Sequence, residues 1–221
     1  MISKAKKNFL ARFLAGSLVL LTLAACGSSD PAKIEADTSV ETSVDGKNYR
    51  SDLFSAAAQF EIEFVDFYLI IGNLTEDLLT DFLENSDDAN KGYLAAIKRI
   101  RSIDDSTDDL FRFGTEVKHL TSDEIDLSLS ENDKTLITEI NPSVIEAMNL
   151  VSEFLQVAMD AATALSIVDK PTWVSLQDNL VEIAQKYYET GTSRGQLYKS
   201  LGESLENESL RASFYDLGET F

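Results

Sequence analysis

Residues 51–85 read SDLFSAAAQFEIEFVDFYLIIGNLTEDLLTDFLEN. Leu53, Ala57, Phe60, Phe64, Phe67, Ile71, Leu74 and Leu78 recur at intervals of four and three, while Glu61, Glu63, Asp66, Glu76, Asp77 and Asp81 fall elsewhere. Apolar residues at that rhythm share one face of an α-helix, whereas a half-buried strand needs alternation by two. The spacing is that of a heptad seam, which must be covered by other helices. Ser51 suits the N-cap, and Asn85-Ser86-Asp87-Asp88 ends this helix and caps the next.

The rhythm returns three times. A second helix is expected from Ala89 to Leu120, with Ala96, Ile100, Ile103, Thr107, Leu110, Gly114 and Val117 as its stripe, widened by Ile97 and Phe111. After a polar connection over 121–130, Ser130 and Asp133 form a capping-box-like start. The third seam follows: Ile137, Ile140, Val144, Ala147, Val151, Phe154, Ala158, Ala161, Leu165 and Val168. Pro142 lacks an N–H and should kink or interrupt its first turns. Asp169-Lys170-Pro171 is a tight turn into the fourth helix, whose stripe is Trp173, Leu180, Ala184, Tyr187, Gly191, Arg194, Tyr198, Leu201 and Leu205. Gly191 and Gly195 together cost a helix about 2 kcal/mol relative to alanine. Two readings stay open there: one continuous helix, or two shorter ones separated at ETGTSRGQ. Leu210, Phe214 and Leu217 predict a short extra helical segment over 207–217.

No stretch alternates like a strand, and there is no glycine-rich phosphate loop. The expected fold is all-α: an antiparallel, up-down-up-down four-helix bundle of segments each roughly 50 Å long. In that topology the second and fourth helices face each other across the centre. Thr107, Gly191 and Ala147 then fall near the level of Phe64 and Phe67. Either the small residues make room for the phenylalanines, or Phe64, Phe67, Thr107, Ala147 and Gly191 line a mid-bundle cavity for a small ligand.

Chemistry is limited by residue supply. His119 is the single histidine and Cys26 the single cysteine. Glu116 and His119 make one Glu-x-x-His unit, but a carboxylate-bridged diiron bundle needs two. Bis-histidine haem ligation fails for the same reason. Asp104, Asp105, Asp108 and Asp109 pair at i,i+4, without the shaped loop that supplies six to eight oxygens to Ca²⁺. No G-x-S-x-G element is present. The expectation is a non-enzymatic protein with no cofactor and no metal site.

The first 26 residues carry a separate message. Lys4, Lys6, Lys7 and Arg12 precede an apolar run from Phe13 to Leu23, the plan of an export signal. That run is too short for a membrane span, which takes about 20 residues. It ends in Leu23-Ala24-Ala25-Cys26, followed by the small polar Gly27-Ser28-Ser29. This ending resembles the lipobox of bacterial lipoproteins. The resemblance implies cleavage before Cys26, a diacylglyceryl group on its sulfur and an acylated new amino terminus. Two or more acyl chains anchor stably where one is marginal. With Gly27 in place of Asp, the resemblance implies the outer membrane in a Gram-negative cell, or the outer face of the cytoplasmic membrane in a Gram-positive one.

Three parts follow: a signal peptide over 1–25, the lipidated cysteine and a flexible acidic tether over 26–50, and a helical bundle domain over 51–221. Losing the signal removes four of 19 basic residues and none of 38 acids, so the formal charge moves from −19 to −23. Such a charge disfavours nucleic acid and anionic lipid surfaces. The expected function is a membrane-anchored, non-catalytic interaction module of the cell envelope, with an envelope protein as partner. Its candidate surfaces are the basic strip Lys91, Lys98, Arg99, Arg101, Arg112 and Lys118 and the tyrosines Tyr187, Tyr188 and Tyr198. The alternative is a small-ligand-binding or sensing bundle that uses the cavity.

Overall fold

The computed structural model describes residues 49–84, 89–104, 107–167 and 169–220. The signal segment, Cys26, nearly all of the tether, residues 85–88, Asp105 and Val168 lie outside these residues. The described residues are all-helical: α1 Tyr49–Glu84, α2 Ala89–Asp104, α3 Asp108–Ser122, α4 Glu131–Thr138, α5 Ile140–Ser166, α6 Lys170–Ser204 and α7 Glu208–Thr220. α1 packs against α2, α3, α6 and α7, and α5 against α2, α3 and α6. One apolar core runs through all seven, and a small satellite forms where Trp173 meets Ala161 and Ala164.

The seam of α1 is buried as its spacing requires: Leu53, Ala57, Phe60, Phe64, Phe67, Ile71 and Leu74 are all withdrawn from solvent. The helix starts two residues before the expected cap at Ser51. Tyr49 explains the extension. Its ring is buried, and its hydroxyl donates to the Leu120 carbonyl at 2.8 Å. Tertiary packing thus overrides the local cap preference.

The expected second helix is two helices, α2 and α3. Thr107 lies between them, at a bend outside both helices that stands at the N-cap of α3. The acids explain the break. Asp104 ends α2, where a helix C-terminus disfavours negative charge, and Asp108 and Asp109 sit in the first turn of α3, where it is favoured.

The third segment also divides, into α4 and α5. The Ser130 hydroxyl accepts the Asp133 N–H at 3.1 Å, the cap read from the sequence. α4 ends at Thr138 because Pro142 has no N–H to give that residue's carbonyl, four positions back. The seam resumes in α5, with Ile140, Val144, Ala147, Val151, Phe154, Ala158 and Ala161 buried.

α6 is one continuous helix of 35 residues, so the two-helix reading of Gly191–Gly195 fails. Asp169 caps it, accepting the Thr172 N–H at 3.2 Å and the Thr172 hydroxyl at 2.7 Å. The expected terminal segment is α7, whose start is capped by Asn207 through the Leu210 N–H. α6 and α7 approach backbone to backbone. A Cβ on Gly202 would lie 2.6 Å from the Tyr215 Cα, and one on Gly218 would lie 2.6 Å from the Lys199 N. The turn between them is held from α4: the buried Asp133 carboxylate accepts the N–H groups of Glu206 and Asn207 at 2.8 and 3.0 Å.

Candidate functional site

The densest chemistry lies where α1 meets α6. The heptad face of α1 brings Phe60, Phe64 and Phe67 inward, with Glu61 at its edge and Tyr68 beyond. The stripe of α6 answers with Tyr187, Gly191, Arg194 and Tyr198. Arg194 is fully buried and Glu61 is 2% exposed. The Arg194 Nε donates to Glu61 Oε1, and Nη2 donates to Oε2 at 2.8 Å. Tyr198 donates its hydroxyl to Oε1 at 2.9 Å. A fourth contact runs from Nη1 to the Ser143 hydroxyl of α5 at 3.5 Å. The guanidinium lies 4.2 Å from the centre of the Phe64 ring and 5.0 Å from that of Phe60. A planar fork between a carboxylate and aromatic faces uses every strength that distinguishes arginine from lysine.

Burial alone would lower the Arg194 pKa, but the adjacent Glu61 charge outweighs it and holds the guanidinium protonated. Burial, reinforced by Glu61, pushes the Tyr198 phenol well above its ordinary value. Burial does the same for Tyr187, whose hydroxyl donates to the Phe64 carbonyl at 3.1 Å. Both Glu61 oxygens are engaged, so the cluster holds its charges in place rather than presenting them.

Three of the five cavity candidates meet here. Phe64 stacks on Tyr187 with ring centres 3.9 Å apart, and Phe67 sits edge-on to Tyr187 at 5.6 Å. A Cβ on Gly191 would lie 2.5 Å from Phe64 Cε1, so the ring takes the room the glycine leaves. Gly114 does the same for Phe60 and Met148. Thr107 is buried at the start of α3 and Ala147 is buried on α5. At the Phe64–Gly191 contact the small residue serves ring packing.

The tyrosine surface needs correction. Tyr187 and Tyr198 are core residues, and of the three Tyr188 alone is exposed, its ring stacked on that of Tyr68 with centres 5.7 Å apart. A helix spaces neighbours by 100°, so 187 and 188 cannot share a face. The basic strip is exposed: Lys91, Lys98, Arg99 and Arg101 on α2, and Arg112 and Lys118 on α3. Arg99 bonds Asp77 of α1 at 2.9 Å, and Arg112 bonds Asp109 at 2.7 Å.

His119 is exposed near the end of α3, with Nδ1 3.2 Å from Asp123 and Nε2 3.2 Å from Glu124. The hydrogen bond to Asp123 is the main cause raising its pKa above 6.5. Among the described residues, no three His, Cys, Asp or Glu side chains converge where an ion would be held.

Sequence reasoning missed Glu61 and the long-range role of Asp133. Arg194 was the signal for the first. An arginine inside an apolar stripe demands a buried acid, and Glu61 directly follows the seam residue Phe60. Asp133 carried no such signal, because its cap joins residues more than 70 positions apart.

No known protein family, curated protein or solved structure matches this chain.

Proposed function

We infer that the protein is an exported lipoprotein, held on the extracytoplasmic side of a membrane by acyl chains on Cys26, whose helical domain is a non-catalytic interaction module of the cell envelope. One observation carries the reading: the LAAC box closes a basic-then-apolar signal and stands 22 residues before the first helix. No described helix is long and apolar enough to cross a membrane, so anchoring is assigned to the lipid.

Under this reading the domain is an antiparallel four-segment bundle. The segments are α1, α2 with α3, α4 with α5, and α6, with α7 folded back as an addition. The α1–α6 contacts support opposite directions: Glu61 meets Arg194 and Tyr198, Phe64 meets Tyr187, and Tyr68 meets Tyr188. The residues that bind a protein partner then lie on the outer helix faces, since the ionic cluster is enclosed.

The test is metabolic labelling with a palmitate analogue, comparing wild type with Cys26→Ala. Label and membrane fractionation are expected in the wild type and absent from the variant. An unlabelled wild type that leaves the membrane on washing would overturn the reading. Capture of an envelope protein by the anchored form alone would support the interaction role.

A further inference from the structure

We propose that Tyr68 of α1 and Tyr188 of α6 form an oxidative cross-linking site, at which a peroxide-driven oxidant joins the two rings as dityrosine. Their rings stack with centres 5.7 Å apart and planes 29° apart. Tyr188 is 51% exposed, so an oxidant reaches it from solvent. Tyr68 stands one heptad beyond Glu61 and one helical turn beyond Phe64, which turns it toward α6. Tyr187 and Tyr188 are consecutive, so α6 points the first inward and the second outward, and Tyr68 meets both.

The pair is backed from the inside. Tyr68 lies against Tyr187 with ring centres 6.4 Å apart, and Tyr187 stacks on Phe64 at 3.9 Å. Tyr187 competes poorly for the bond, because it is enclosed and its hydroxyl donates to the Phe64 carbonyl. Tyr198 is enclosed too, with its hydroxyl on Glu61, and Tyr49 is buried with its hydroxyl on the Leu120 carbonyl. Bonded rings lie edge to edge, so Tyr188 has to swing slightly toward Tyr68. An exposed side chain does this readily, since surface rotamers exchange within nanoseconds.

Burial, and then Tyr188 beside it, push the Tyr68 phenol above its ordinary value. The neutral phenol therefore reacts, and its proton leaves with the electron. The oxidant is a peroxidase intermediate recharged by hydrogen peroxide. Each phenol gives up one hydrogen atom and becomes a phenoxyl radical. The two unpaired electrons pair as a bond between one ring carbon ortho to each oxygen. The hydrogens on those carbons then move to the oxygens, which restores both aromatic rings. In sum, two phenols and one hydrogen peroxide give one biphenol and two waters. Because the fold holds the rings together, coupling is intramolecular and outpaces encounters between chains.

Exported proteins are commonly stapled by disulfides, which persist in oxidising compartments. This chain has a single cysteine, and on the lipoprotein reading above its sulfur carries lipid. A 68–188 bond is a staple of another kind, tying α1 to α6 at the outer edge of the Phe64–Tyr187 stack. Like a disulfide, it restricts the unfolded chain. Only the occurrence of the bond in the cell rests on the export reading; the reaction of the purified chain does not.

The experiment treats the purified full chain with a haem peroxidase and hydrogen peroxide. Three results are expected: dityrosine fluorescence, a monomer on a denaturing gel, and a linked peptide pair containing Tyr68 and Tyr188. Mass spectrometry should find that pair lighter than its two parts by two hydrogen atoms. Tyr188→Phe and Tyr68→Phe should each abolish the link while keeping the helical circular dichroism of the wild type. The midpoint of thermal unfolding should rise on treatment of the wild type and stay put in both variants.

Dityrosine found only in dimers, at a yield that grows with protein concentration, would overturn the proposal. So would intramolecular linkage of other tyrosines in place of 68 and 188, or fluorescence undiminished in Tyr188→Phe. The linked peptide is also expected in protein taken from peroxide-treated cells. Its absence there, with palmitate label on Cys26, would overturn the site and leave the anchor standing. The linked peptide without the label would sustain the site and overturn the anchor.

Discussion

Arg194 of α6 grips Glu61 of α1 from 133 residues away, and neither side chain reaches solvent. Such a pair is weak evidence of net stability, because desolvating two charges offsets most of their attraction. What it enforces is register. Sliding α6 by one turn along α1 would leave a buried guanidinium opposite phenylalanine and an unpaired carboxylate in the core.

Glu61→Ala should therefore destabilise the domain by about 3–5 kcal/mol, because it strands a buried charge. The double variant Glu61→Leu/Arg194→Met should recover most of that loss, since apolar groups of similar volume replace the pair. Urea unfolding followed by circular dichroism checks both. A single-variant loss below about 1 kcal/mol would mean that water reaches the cluster.

Gly191→Val drives a side chain into the Phe64 ring, which is clamped between the Tyr187 stack and the Arg194 guanidinium. Overpacking of this kind costs about 1–3 kcal/mol. Adding Phe64→Leu should relieve it in a double-mutant cycle. Equal losses in the presence and absence of the ring would show that the glycine acts through the helix backbone instead.

Asp133→Ala removes the acceptor for the Glu206 and Asn207 N–H groups. Hydrogen bonds to a charged group are worth about 1.5–3 kcal/mol each, so a loss of about 3–6 kcal/mol is expected from the two. The damage should be regional. Amide exchange in α7 should accelerate more than in α5, and uniform acceleration would contradict the latch.

His119, as the single histidine, gives one clean titration by NMR. Its folded pKa should lie above 6.5, held up first by the hydrogen bond to Asp123. Asp123→Asn should bring it down. The sign follows: any stability this contact adds is fully present below the unfolded pKa and fades as pH rises through the folded one. A value at or below 6.5 would remove the contact from solution.

The helical character of the domain was legible in its apolar spacing, because a 3.6-residue period leaves a trace wherever one face is buried. The seams of α1 and α5, the cap at Ser130, the start of α6 at Pro171 and the terminal segment follow from local rules. So does Pro142 as an interruption, although the sequence left its outcome as a kink or a break.

Other features needed the packed chain. That Gly191 does not break α6 goes with the Phe64 ring, which occupies the space a side chain would need. The helix cost of glycine is local; the contact that offsets it comes from another helix. The apolar stripe alone predicts one continuous helix, whereas the chain divides it into α2 and α3, with Asp104 at the end of one and Asp108 and Asp109 in the first turn of the other. Tyr188 differs from Tyr187 by a 100° rotation, and burial follows from what faces each ring. Glu61 and Asp133 look like ordinary surface acids along the chain. They become core residues because folding brings Arg194 to one and two backbone N–H groups to the other, and a buried carboxylate is tolerated only where such partners arrive.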